Sequence, residues 1–241
     1  MAFQSIVNKV IQQSDIVLEI LDARFIEETR NKQLEKKIKI LIHVINKCDY
    51  VDKTYMDEAK KHLENCIFVS AKKHLGTTLL KNKIKQLANQ NKIKWPKVGV
   101  IGYPNVGKSS VINALKGKGS AKTSPEAGYT KGKQYLRIDN DFLMIDTPGV
   151  ISKEKTKEEE LVLIGAKNPY TIEDPDLAVI RLLKLRPGLA EKKYNVKIKP
   201  NKEETIEDIA LKLNFKKKGN LPDVDRASRR ILQDFLNGKM L

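Results

Sequence analysis

The chain has 241 residues, more than one typical domain and fewer than two large ones, so an α/β domain with a smaller appendage is expected. Its 46 Lys and Arg against 30 Asp and Glu give a formal net charge of +16, which points to a polyanionic partner such as nucleic acid or an anionic membrane surface. Two cysteines are too few to staple a domain of this size, and no run approaches about eighteen consecutive apolar residues. A disulfide scaffold and a membrane-spanning helix are thereby excluded, and with no signal-like start the expectation is a soluble, cytoplasmic protein that does not act on membranes.

Phe3 to Gln13 has apolar residues at helical spacing and reads as an amphipathic opening helix. Ile16 to Leu21 and Ile38 to Ile45 are continuous apolar runs, as expected of parallel strands covered on both faces. Glu27 to Lys37 between them is expected to supply one crossover helix, and Asp52 to Leu63 another. Ile67 to Val69 is a short strand. Thr77 to Gln90 is a helix that turns Leu79, Leu80, Ile84, Leu87 and Ala88 toward the core.

Val98 to Ile101 is a strand, followed by Gly102 to Ser110, GYPNVGKSS, and a helical run from Val111 to Leu115. Gly117 to Lys133 has no clean periodicity. Tyr135 to Ile138 and Phe142 to Ile145 read as strands joined by a turn at 139–141, and Ser152 to Glu160 as a charged connection. Helical signals alone follow: a run opened by Asp174-Pro175, a helix start at Thr205 to Asp208, and a last helix with Val224, Ala227, Ile231, Leu232 and Phe235 as its apolar stripe. This change of pattern argues for two domains, 1–160 and 161–241. Charge is unevenly placed, since no acidic residue occurs between Glu64 and Glu126 while lysines from Lys72 to Lys122 fill that segment.

A strand, a glycine loop and a helix form a phosphate cradle, because backbone N–H groups at a helix N-terminus hold a polyanion without a buried unpaired charge. Asn105, Val106, Gly107, Lys108, Ser109 and Ser110 line it, with Lys108 reaching the β- and γ-phosphates and the Ser109 hydroxyl serving Mg²⁺. Asn46-Lys47-Cys48-Asp49 ends a strand, where ligands of open parallel sheets bind. The Asp49 carboxylate can accept from guanine N1–H and the 2-amino group, Lys47 can lie along the base, and Asn46 can tie this loop to the cradle. Ser70-Ala71-Lys72 can offer a backbone N–H to guanine O6. Asp146-Thr147-Pro148-Gly149 gives a carboxylate for Mg²⁺ and a glycine N–H for the γ-phosphate, and Thr130 is the candidate second hydroxyl on the metal.

These five signatures, in the order base loop, SAK, phosphate loop, switch threonine, DTPG, resemble the circularly permuted GTPases of the YlqF/RbgA group. Asp22-Ala23-Arg24 with Arg30-Asn31, and Pro222-Asp223 with Arg226-Ala227 and Asp234-Phe235, match further segments of that group. Ile26 and Ala127 depart from it where prolines are usual. The resemblance implies a three-layer P-loop GTPase fold, permuted, with a C-terminal all-helical domain. It implies a GTPase that converts GTP to GDP and phosphate and serves assembly of the large ribosomal subunit on rRNA, as a monomer. It also implies K⁺ at Asn105, and slow intrinsic turnover because Val150 stands where a glutamine orients water. The group's N-terminal histidine segment has no counterpart in MAFQSIVNK, so Lys108, Thr130 and Gly149 carry the catalytic assignment without a general base. Phosphate contacts to RNA are expected from Arg226, Arg229, Arg230 and Lys216 to Lys218, and from the Lys72 to Lys97 block. Two alternatives stand beside this reading: an RNA-docked guanine-nucleotide sensor with incidental hydrolysis, and a GTPase serving tRNA modification or a membrane surface.

Overall fold

Ile16–Asp22 forms β1, and all of its residues are buried, as a strand flanked on both faces requires. It belongs to a six-stranded sheet in a computed structural model that describes residues 2–116, 135–138, 141–145 and 157–240. The other strands are β2 (Leu41–Asn46), β3 (Cys66–Phe68), β4 (Lys97–Ile101), β5 (Tyr135–Ile138) and β6 (Phe142–Ile145). Their order is β3-β2-β1-β4-β6-β5, parallel throughout except for the antiparallel β5–β6 pair at one edge. Every parallel crossover delivers its strand in the same direction. The loops after β1, β2, β3 and β4 therefore all emerge at one edge.

Helix α1 (Ala2–Gln13) packs on β4, and its Val7 and Val10 join Val17, Leu34, Ile101 and Ile145 in one core cluster. Strand alternation turns Leu18, Ile20, Val98, Val100 and Met144 to the opposite face. Helices α5 (Thr77–Gln90) and α6 (Lys108–Lys116) pack on each other and bury Leu80, Ile84, Val111 and Ile112. Layers of helix, sheet and helix result.

The segment expected as one crossover helix over 27–37 is instead two short ones, α2 (Ile26–Thr29) and α3 (Lys32–Glu35). Arg30 between them is extended, and the Asn31 side chain accepts from Leu34 N, restarting the helix with its own cap. Helix α4 (Lys53–His62) opens on Asp52, whose carboxylate accepts from Tyr55 N. The second strand begins at Leu41 rather than Ile38, with Ile38 packed at the edge of the core cluster. Leu79, expected inward, is 62% exposed, because α5 turns Leu80, Ile84 and Leu87 to the sheet and one residue earlier falls off that stripe. Cys48 and Cys66 are free.

The chain divides into two compact units, Met1–Ser152 and Lys153–Leu241. The division comes earlier than residue 160. Glu158–Leu163, partly expected as a connection, is helix α7, with Glu158, Glu159 and Glu160 in its first turn, where acidic groups complement the positive end of the helix. Helices α8 (Pro175–Leu185), α9 (Leu189–Tyr194), α10 (Lys202–Lys212) and α11 (Val224–Leu236) complete the second unit, with α11 packed on α8 and α10. Helix α10 starts at Lys202 and not at Thr205, because Asn201 caps it by accepting from Glu203 N. Ala227, Ile231, Leu232 and Phe235 are all buried, so the stripe of the last helix is its core face.

Candidate nucleotide-binding site

The glycine loop joins β4 to α6, and its shape is set by two residues without side chains. Gly107 has φ +99°, and a Cβ there would lie 2.2 Å from Asn46 Nδ2. Gly102 has φ +147°, and a Cβ would meet the Ile20 carbonyl at 2.6 Å. Any side chain at either place would push the loop away from its neighbours. Asn105 takes the left-handed conformation at φ +59° and is exposed. The Lys108 ammonium is buried and donates back to the carbonyls of Gly102 at 3.1 Å and Tyr103 at 2.6 Å, so the cation is held across its own loop. Ser109 and Ser110 follow in the first turn of α6, exposed.

Asn46, the last residue of β2, is 3% exposed. Its Nδ2 donates to Val106 O at 2.8 Å, and its Oδ1 accepts from Ala71 N at 3.1 Å. One amide therefore joins three loops: the base loop that it opens, the glycine loop and the Ser70-Ala71-Lys72 loop. The donor and the acceptor of the amide are both used, which is why neither an aspartate nor a glutamine of different reach would serve. Buried Ser70 accepts from Lys73 N at its hydroxyl, and Lys72 is exposed at the rim. The Asp49 side chain is 6% exposed, with Lys73 Nζ at 3.7 Å.

Lys47, left-handed at φ +62°, extends its ammonium to Asp22 Oδ2 at 2.8 Å. Asp22 ends β1 and is paired in register with Asn46 on β2. Arg24 grips the same carboxylate from the other side through Nε and Nη2, at 3.0 and 2.8 Å, and its guanidinium lies 5.4 Å from the Tyr50 ring centre. Burial alone would push the Asp22 carboxyl up, but Arg24 and Lys47 outweigh it and hold the group at about 2. Burial keeps the Lys47 ammonium below the ordinary lysine range despite Asp22 beside it. The sequence marks Asp22 and Arg24 only as a matching segment. Their role as the anchor that aims Lys47 is new, and its sole sequence signal is an acidic residue ending an apolar strand.

The structure thus gathers Asn46, Lys47, Asp49, Ser70, Ala71, Lys72 and Asn105 to Ser110 at one edge of the sheet. Thr130, Asp146, Gly149 and Val150 lie outside the described residues. In the second unit, Arg229 spends its guanidinium on Asp225 and on the Pro169 and Ile172 carbonyls, and Arg230 is bonded to Asp234. Arg226 stacks 4.2 Å from the Phe215 ring centre, and Lys216, Lys217 and Lys218 are exposed. Of the residues expected to contact phosphates, Arg229 also serves as a structural tie.

Residues 97–218 match the model of a family described as 50S ribosome-binding GTPase. The chain belongs to that family. It is 40% identical to an uncharacterized GTP-binding protein of Methanocaldococcus jannaschii, over 98% of this chain and 65% of that one. It is 35% identical to nucleolar GTP-binding protein 2 of Neurospora crassa, over 96% of this chain and 40% of that protein, and 31% identical to nuclear/nucleolar GTPase 2 of Arabidopsis thaliana, over 96% and 42%. The chain therefore spans between 40% and 65% of the length of these relatives. The GNP-bound crystal structure of YlqF from T. maritima matches with a TM-score of 0.69 at 25% identity, covering 99% of this chain and 95% of that one. A GDP-bound YlqF structure matches with the same score. The fold is the circularly permuted P-loop GTPase fold, with base-side loops preceding the phosphate loop in the chain. No helix among the described residues is long and apolar enough to cross a membrane.

Proposed function

We propose that this chain binds GTP and GDP at the edge formed by the loops after β1 to β4, hydrolyses GTP to GDP and phosphate, and acts as a nucleotide-switched assembly factor on the large ribosomal subunit. The observation that carries the reading is Asn46, which locks the base loop to the glycine loop and to the Ala71 N–H in one buried amide. With the three loops fixed together, the base and phosphates are read at a set separation. The specificity for guanine then resides in Asp49 and the Ala71 side of the site.

Lys108, poised on two carbonyls, exchanges them for phosphate oxygens, while the N–H groups opening α6 receive the β-phosphate. The Ser109 hydroxyl, exposed in the first turn of α6, is the right donor type and place to hold Mg²⁺ with Thr130 and Asp146. That ion supplies charge neutralisation on the phosphates. Gly149 would meet the γ-phosphate, and Asn105 would hold K⁺, whose charge would supplement that of Lys108. With Val150 in place of a water-orienting glutamine, unstimulated turnover is slow.

Support for ribosomal action comes from the family description, from relatives named as nucleolar GTP-binding proteins, and from the basic residues. RNA is gripped by Arg226, Arg230 and Lys216 to Lys218 in the helical unit, and by the Lys72 to Lys97 block in the GTPase unit. The test is phosphate release in K⁺ and in Na⁺, with and without purified large subunits, paired with co-sedimentation in a non-hydrolysable GTP analogue. Stimulation by subunits, greater in K⁺, and analogue-dependent co-sedimentation are expected. Turnover that stays negligible with subunits would favour a guanine-nucleotide sensor, and co-sedimentation indifferent to nucleotide would overturn the switch.

A further inference from the structure

Glu19 and His43 stand directly opposite one another in the β1–β2 register, on the face that also carries Val17 of the core cluster. Glu35, from α3, closes on the same point. A glutamate 1% exposed and a histidine 7% exposed within a packed face demand partners, and each keeps one atom without a hydrogen bond: Glu19 Oε2 and His43 Nε2. Their other atoms are used. Glu19 Oε1 accepts from Asn31 N at 2.8 Å. His43 Nδ1–H donates to the Glu64 carbonyl at 3.3 Å, which leaves the Nε2 lone pair directed inward.

His43 Nε2 is 3.5 Å from Glu19 Oε2 and 3.6 Å from Glu35 Oε1. Such separations are too long for a good hydrogen bond. They are close to the spacing, about 3.4 Å, of two donors each about 2.0–2.1 Å from one tetrahedral ion. All three donor atoms lie within 4.8 Å of one another. The charge also leaves room for a cation. Arg30 grips both oxygens of Glu35 and also reaches Glu27, and Glu19 makes no salt bridge with a lysine or arginine among the described residues.

We propose that Glu19, His43 and Glu35 form a site for one divalent transition-metal ion of the Zn²⁺ kind, separate from the Mg²⁺ position at Ser109, that ties β1 and β2 to α3. Imidazole with carboxylate selects Zn²⁺, Co²⁺ or Mn²⁺ over Mg²⁺ and Ca²⁺, which favour all-oxygen shells. The ion would fix the crossover that carries Arg24, Arg30 and Asn31.

The nucleotide-free chain is titrated with Co²⁺, followed by its visible absorption, and then with Zn²⁺ in competition. One equivalent of Co²⁺, displaced by Zn²⁺ and unchanged in Ser109→Ala, is expected. His43→Asn and Glu19→Gln should each weaken binding at least about tenfold and remove the band. Because a buried substitution can unfold the chain, the unaltered protein is also read by imidazole nitrogen NMR with Zn²⁺. The His43 Nε2 resonance should shift while those of His62 and His74 stay. Absence of a Co²⁺ band, a band lost in Ser109→Ala, or an unmoved His43 resonance overturns the proposal.

Discussion

Asp22 is fully buried between Arg24 and Lys47, so its charge state is a matter of folding as well as of the site. Its folded-state value of about 2 lies below the ordinary 3.8, and a depressed carboxyl contributes stability above the ordinary value that is lost as pH falls through the folded one. That difference amounts to roughly 2 kcal/mol. Denaturant midpoints should therefore drop between about pH 4 and pH 2, and Asp22→Asn should flatten that part of the profile while lowering stability at neutral pH, where the buried Arg24 and the partly buried Lys47 lose their partner. Gly107 makes a second residue-scale prediction. Gly107→Ala places a methyl against the Asn46 amide, so the link to Val106 breaks, and guanine-nucleotide affinity measured by calorimetry should fall at least about tenfold. The need for glycine was legible from the loop spacing. The partner that requires it, Asn46, lies far away in sequence, at the end of another strand, and only the folded structure shows the contact.

At the scale of elements, strands were the most legible, because uninterrupted apolar runs such as Ile16 to Leu21 can be buried on both faces and do little else. Tyr135–Ile138 and Phe142–Ile145 fall where the strand-like runs on either side of the 139–141 turn put them. The crossover at 27–37 was not legible as two helices, since its charged composition suits one. The break comes from tertiary demands on Arg30 and Asn31: the first reaches Glu27 and Glu35, and the second gives its N–H to Glu19. Asn31→Ala removes the cap of α3, and a loss of about 1 kcal/mol in urea unfolding is expected. The last helix shows the same lesson with charges. Arg229, expected from the sequence as a phosphate contact, turns back to the Pro169 and Ile172 carbonyls. Arg229→Ala should cost stability of the helical unit and leave the salt dependence of RNA binding unchanged, whereas Arg226→Ala together with Lys216→Ala and Lys218→Ala should flatten that dependence with folding intact.

For the whole molecule, the permuted order has a structural basis: in a parallel sheet every strand ends at the same edge, so loops meet there whatever their order in the chain. The residues proposed to read the base come from the loops after β2 and β3 and the glycine loop from β4, with Asn46 joining these three, while Lys47 ties in Asp22 from β1. The motifs could be read from spacing alone, because each needs its residues adjacent in sequence. The Asp22–Lys47–Arg24 network and the Glu19–His43–Glu35 cluster could not, because they join residues from separate elements. The account rests on one claim, that these loops form a guanine site. Calorimetric titration of GDP and ADP against the unaltered chain and Asp49→Ala tests it most directly. GDP bound on the order of 10⁴-fold more tightly than ADP, with that preference lost in Asp49→Ala, is predicted, and comparable affinities for the two nucleotides, or an Asp49→Ala chain that still prefers GDP, would contradict it.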